Sequence, residues 1–290
     1  MENSMKALLR PITDMALCTV LLLGISDLFG QPVQAPELPQ RRVPMISQGQ
    51  MVKQVIGLSD ITVTYHRPGV KGRPIWGGLL PYDQPWRVGA NEPTLITFSD
   101  PVTINGNKLG AGTYRFLIIP GKTEWTLVFN SEIKNWGTMY EAKYDTLKIK
   151  VQPAAHQDEE WLSFSFTDLT PASARVVIAW EKLAVNFTAE FGTLAKMESQ
   201  VGDWRVLNQA ARYAVSEKFS LEQAMTWADR SLALNRNASN VRTKAELLAQ
   251  KGSYKEAIPL AEESIKLARA QNPGANVTAT EQLIADWKKK

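Results

Sequence analysis

The sequence predicts an antiparallel β-sandwich of immunoglobulin or jelly-roll kind, followed by a short all-helical repeat region. Three observations predict it. From about Met51 to Phe191 apolar and polar residues alternate with period two, the spacing of a half-buried strand. Turn signals recur through that stretch and no long helical segment interrupts it, which argues against a parallel α/β arrangement. At about Leu194 alanine becomes frequent and the apolar period lengthens to that of a helix.

The elements order themselves into a signal peptide at 1–30, a linker at 31–50, a sandwich at 51–192 and a helical repeat-like domain at 193–290. Lys6 and Arg10 precede MALCTVLLLGI, a positive region followed by an apolar run of signal-peptide length and too short for a comfortable membrane span. Cleavage fits after Gly30; Ala35 has the right small residues before it, but Pro36 hinders cutting there. Removing residues 1–30 removes Cys18, the only cysteine, so no disulfide, thiol nucleophile or cysteine metal site is expected in the mature chain. The expectation is an exported protein, periplasmic or extracellular, with no integral membrane span after cleavage. The linker, QPVQAPELPQRRVPMISQGQ, reads as an extended arm because Pro and Gln dominate it.

Within the sandwich, DITVTYH places Ile61, Val63 and Tyr65 on one face and Thr62 and Thr64 on the other. TLITF follows, then VTINGNKL, whose Asn105-Gly106 pair tolerates the positive φ angles of a tight hairpin turn. GTYRFLII, EWTLVFN, DTLKIKVQP, WLSFSFTDL, ARVVIAWEKL and VNFTAEF complete about nine strands. His156, Asp158, Glu159 and Glu160 read as a solvated turn before the strand at Trp161.

The helical region repeats. LEQAMTWADRSLALN matches YKEAIPLAEESIKLA at an offset of 33 residues: Ala224 meets Ala257, Ala228 meets Ala261 and Ser231 meets Ser264. NQAARYAVSEK and RTKAELLAQKG supply the preceding helix of each pair. A helix–turn–helix period near 34 residues is that of tetratricopeptide repeats. Two repeats are fewer than the roughly three needed for independent stability, so the helical region is expected to dock on the sandwich or to pair with another chain. TATEQLIADWKKK reads as the capping helix.

Chemistry concentrates in the loop from His66 to Pro93, HRPGVKGRPIWGGLLPYDQPWRVGANEP. Structureless loops of this length are uncommon in compact domains. Trp76, Leu79, Leu80, Tyr82 and Trp86 are too apolar to leave in water, so the loop is expected to be an ordered cover closing one end of the sandwich. Arg67, Lys71, Arg73 and Arg87, with Asn91 and His66, would form a cationic pocket edged by Trp76 and Trp86. Such a pocket suits a carboxylate, a phosphate or a sugar face. The competing expectation is that these arginines cap loop carbonyls and pair with Asp83 and Glu92.

Several function classes find no support. His66 and His156 are the only histidines and no metal-ligand spacing occurs, so neither a metal nor another cofactor is expected. No G-x-S-x-G is present, and GVKGRPIWGG lacks the strand–loop–helix context of a phosphate loop. A net charge of +4, spread along the chain, is too weak to predict nucleic acid as a partner.

The runs R-P-G-V-K-G-R, W-G-G-L-L-P-Y and W-R-V-G-A-N-E occur in that order from Arg67 to Glu92. With the strands that follow, and with NWGTMYEAKYDTLKIKV, they resemble the signature of the bacterial family catalogued as domain of unknown function 2911, over roughly Gln48 to Phe191. The resemblance implies a secreted or periplasmic protein, commonly with a tetratricopeptide-like tail, and it supplies no activity. Gly110 stands where the family has proline before A-G-T-Y, which implies a looser turn.

Together these readings predict a non-catalytic binding module of the cell envelope. Arg67, Arg73, Trp76, Trp86, Arg87 and Asn91 would hold a small polar or anionic ligand or a carbohydrate, and the helical repeats would offer a groove to a protein partner. The alternative is a metal-independent hydrolase or isomerase in the same loop, using His66, Asp83, Arg87, Asn91 and Glu92.

Overall fold

A computed structural model describes residues 33–39, 43–134, 139–199, 202–217 and 220–290. The expected signal peptide, with Cys18, lies outside the described residues, as does the start of NWGTMY.

Among the described residues ten strands form two antiparallel sheets. In chain order they are β1 (Gly49–Ile56), β2 (Ser59–His66), β3 (Leu95–Phe98), β4 (Val102–Ile104), β5 (Asn107–Leu109), β6 (Gly112–Ile119), β7 (Trp125–Asn130), β8 (Asp145–Val151), β9 (Ala154–Thr167) and β10 (Ser173–Phe191). One sheet runs β1-β2-β3-β6-β7-β8 and the other β5-β4-β10-β9. Their inner faces meet through phenylalanines. Phe129 of β7 packs on Phe187 of β10 at 5.6 Å between ring centroids, and Phe116 of β6 on Phe164 of β9 at 6.1 Å. The β-sandwich expected from period-two alternation is therefore present, followed among the described residues by six helices.

Three details differ from the sequence reading. β1, Gly49–Ile56, precedes DITVTYH and is missing from the strands read in the sequence, whereas VTINGNKL is the expected hairpin, with Asn105 and Gly106 at φ of 45° and 81°. ARVVIAWEKL and VNFTAEF are one bent strand, β10; irregular pairing around Glu181, at φ 56°, supplies the bend that alternation reads as a break. His156 to Glu160 lie inside β9 rather than in a turn, because pairing with β10 extends past Trp161 to Ala154.

The polar face of β2 is also covered. Thr62, Thr64 and His66 are buried along with Ile61, Val63 and Tyr65. The arm explains part of this: Thr64 Oγ1 donates to the Pro36 carbonyl at 3.2 Å, and Leu38 reaches the backbone of Gly49 beside His66.

The helices are α1 (Thr193–Ser199), α2 (Trp204–Glu217), α3 (Leu221–Leu234), α4 (Ala238–Gln250), α5 (Tyr254–Gln271) and α6 (Thr278–Trp287). α1 ties this region to the sandwich. Thr193 Oγ1 donates to the Pro171 carbonyl, while Lys196 Nζ reaches both the Leu58 carbonyl at 2.7 Å and Asp100 Oδ2 at 2.6 Å. The paired small residues of the repeats are all buried, which lets α3 and α5 approach their partner helices closely. The two hairpins even share a hydrogen bond. Ser231 Oγ donates to the carbonyl of Trp204, the first residue of α2, and Ser264 Oγ donates to that of Ala238, the first residue of α4.

A cation-floored cavity beneath the loop

The loop after β2 is pinned to both sheets. On one side Val70 N–H donates to the Glu160 carbonyl and Leu162 N–H to that of Pro68, so the loop follows β9. On the other, Trp86 exchanges backbone hydrogen bonds with Ile118 at 2.7 and 2.9 Å, which continues the row of β3 along β6. Trp76 and Trp86 enter the core here. They join Trp125 of β7 and Trp180 of β10: Trp76 lies 4.4 Å from Trp125, and Trp86 stacks on Trp180 at 5.4 Å. Four large rings from the loop and both sheets close this end of the sandwich.

A cavity of about 440 Å³ opens at the same place. Trp86, Trp180, Leu79, Leu80 and Leu117 give it apolar walls; Ile46 and Ser47 of the arm form part of its rim. Among the described residues its charged lining is Lys71, Arg73, Arg87 and Arg115, with no acid. Antiparallel pairing of Trp86 with Ile118 sets Arg87 across from Leu117, two residues along β6 from Arg115.

The arginines differ in what they touch. Arg67 Nε donates to the Leu162 carbonyl at 2.7 Å, and Arg73 holds the carbonyls of Val70 and Gly69. Arg73 thus caps loop carbonyls, as the competing structural expectation has it, while Arg67 ties the loop to β9. Arg87 is half-buried, and its Nε has no hydrogen-bond partner among the described residues. Burial pulls the Arg87 guanidinium below the usual arginine range. Arg115 is 1% exposed and donates to the Met139 carbonyl at 2.6 Å. Its proton affinity is lowered first by burial and then by the charge on Arg87, while Glu132 acts the other way. A half-buried guanidinium with a second cation nearby favours an anion beside it.

The backbone beside Arg87 is strained. Val88 is fully buried at φ 52°, a left-handed conformation in which a β-branched residue is rare. Thr94 Oγ1 holds it by donating to the Val88 carbonyl at 2.8 Å. At Gly89 an added Cβ would sit 2.9 Å from the His66 carbonyl oxygen, so the chain passes too close to β2 for any side chain.

Of the six residues expected to bind, Arg73, Trp86 and Arg87 line this cavity. Arg67 lines a separate hollow beside Trp161, and Trp76 lies behind in the ring cluster. Asn91 Nδ2 donates to the Ser47 carbonyl at 3.0 Å and so fixes the arm at the rim. The residues of the hydrolase alternative are dispersed. His66 Nε2 pairs with Glu92 at 3.3 Å, beside Leu38 of the arm, and Asp83 is exposed, with its N–H on the Pro120 carbonyl. Of those five, Arg87 alone lines the cavity. The described residues contain no cluster of His, Cys, Asp or Glu able to hold a metal ion.

Sequence reasoning missed Arg115, Leu117 and Trp180. Each sits in a strand that reads as core, and the only available signal was a cation between Tyr114 and Phe116 in GTYRFLII.

Fold and cavity together define a two-sheet sandwich with a cationic pocket under an aromatic loop and a helical tail. Residues 47–189 match the family model described as "Protein of unknown function (DUF2911)", and through them the chain belongs to that family. No curated protein and no solved structure matches the chain.

Proposed function

We propose that this is an exported cell-envelope binding protein, periplasmic or extracellular, whose cavity takes a small anionic ligand at Arg87. The observation that carries the reading is the Arg87 guanidinium, half-buried at the cavity with its Nε unpartnered among the described residues and no acid in the lining. A half-buried cation whose Nε lacks a partner among the described residues is partly desolvated, and a charge-assisted hydrogen bond from it to an anion offsets that cost. The tail supplies a second surface: an open groove of about 830 Å³ among the helices, lined by Leu221, Tyr254, Leu283 and Trp287, suited to a protein segment. No helix among the described residues is long and apolar enough to cross a membrane.

Thermal shift with a panel of acetate, phosphate, sulfate and neutral sugars tests the pocket. Anions should raise the melting temperature of the wild type. Arg87→Gln should weaken their binding by about 10–100-fold, the value of a hydrogen bond to a charged group. If every ligand that stabilises the wild type stabilises the variant equally, the cavity is not the binding site.

A further inference from the structure

We infer that the cavity beside Arg87 takes an organic monocarboxylate with an apolar body, in preference to an inorganic oxyanion or a polyanion. This rests on the anion-site reading above and narrows it.

Size comes first. A cavity of about 440 Å³ holds the equivalent of roughly fifteen waters at their liquid volume. A sulfate or phosphate ion would occupy only a small part of it. The remainder is walled by Leu79, Leu80, Leu117 and the two stacked indoles, a surface that gains nothing from a compact, hydrated ion. At the rim, Leu79 is 44% and Ile46 80% exposed. An apolar ligand body would remove both from water.

Charge narrows the choice further. Arg115 has Glu132 acting on it and already holds the Met139 carbonyl. Arg73 is exposed and its guanidinium is turned to the carbonyls of Gly69 and Val70. Lys71 is exposed, so solvent screens its charge. Arg87 is left as the desolvated charge that nothing in the lining balances. One such charge matches one negative charge, and the planar guanidinium fork matches a planar carboxylate. A dianion would bring a second charge out of water with only screened cations to receive it.

Isothermal titration calorimetry of the full-length chain with straight-chain carboxylates from acetate to octanoate tests this, with inorganic phosphate and 1-octanol as comparisons. Association should strengthen about fourfold for each methylene added until the cavity is filled. Octanoate should bind more tightly than phosphate and than octanol. Arg87→Gln should lower octanoate affinity at least tenfold. Leu79→Ser, which replaces part of the apolar wall at an exposed position, should flatten the chain-length slope. If affinity does not rise with chain length, or phosphate binds as tightly as octanoate, the monocarboxylate inference fails and the anion site stands. If octanol matches octanoate, if Arg87→Gln keeps full affinity, or if no ligand binds, both fail.

Discussion

Arg67 and Arg87 come from the same loop and differ in their surroundings. Arg67 satisfies carbonyls of β9, so its loss should loosen the loop; Arg87 satisfies nothing described, so its loss should cost little stability. The tryptophans divide in a similar way. Trp86 is 8% exposed and stacked on Trp180, and Trp86→Ala should destabilise by about 3–5 kcal/mol. Trp76 keeps more contact with solvent and its indole N–H has no acceptor among the described residues, so Trp76→Ala should cost less. Urea denaturation of the two variants checks the order; a larger loss at Trp76 would mean that the ring cluster is centred differently. The loop's rings and cations were legible because the chain states them in one run. Which arginine faces the cavity was not, because that depends on the pairing of Trp86 with Ile118, a contact 32 positions apart that no local pattern encodes.

Among the elements, α1 joins the tail to the sandwich through one ion pair and two carbonyl contacts. Burial alone would raise the Asp100 carboxyl, but hydrogen bonds from Lys196, Ser99 and Ser59 outweigh it and hold the group below its ordinary value of 3.8. A depressed carboxylate stabilises the fold above its unfolded value, and that contribution fades as pH falls through the folded value. Between neutral pH and about pH 4 the α1 contact should therefore be insensitive to acid, and below that range it should weaken. Asp100→Asn should remove this part of the acid dependence in melting curves recorded between pH 2 and 7; an unchanged curve would place the acid-labile contact elsewhere. The repeat was legible in the offset of 33 residues, since Ala224, Ala228 and Ser231 recur as Ala257, Ala261 and Ser264 in equivalent packing. β10 was less so. Trp180-Glu181-Lys182 interrupts the alternation, and a bulge and a turn look alike when only polarity is read.

For the molecule as a whole, the apolar run at Met15–Ile25 and the basic residues before it predict export. Fusion of residues 1–50 to a reporter that is active only after translocation should give active reporter, and the mature mass should begin at Gln31 or Pro36. A protein retained at its full mass in the cytoplasm would remove the cell-envelope assignment and leave the cavity untouched. The fold class itself was fully legible, because two hydrophobic periods in succession define two architectures in succession. The site was legible only in outline, since it draws on the arm, the loop, β6 and β10 at once.

The arm has a practical consequence. Ser47, gripped by Asn91, and its neighbour Ile46 precede the first strand, so a chain trimmed to begin at Gly49 would keep every strand of the sandwich yet lose part of the cavity wall. Such a trimmed protein would give an ordinary circular-dichroism spectrum and a misleadingly poor ligand screen. A protease that cuts between Ser47 and Gln48 would sever the arm at the rim of the pocket while sparing the sandwich.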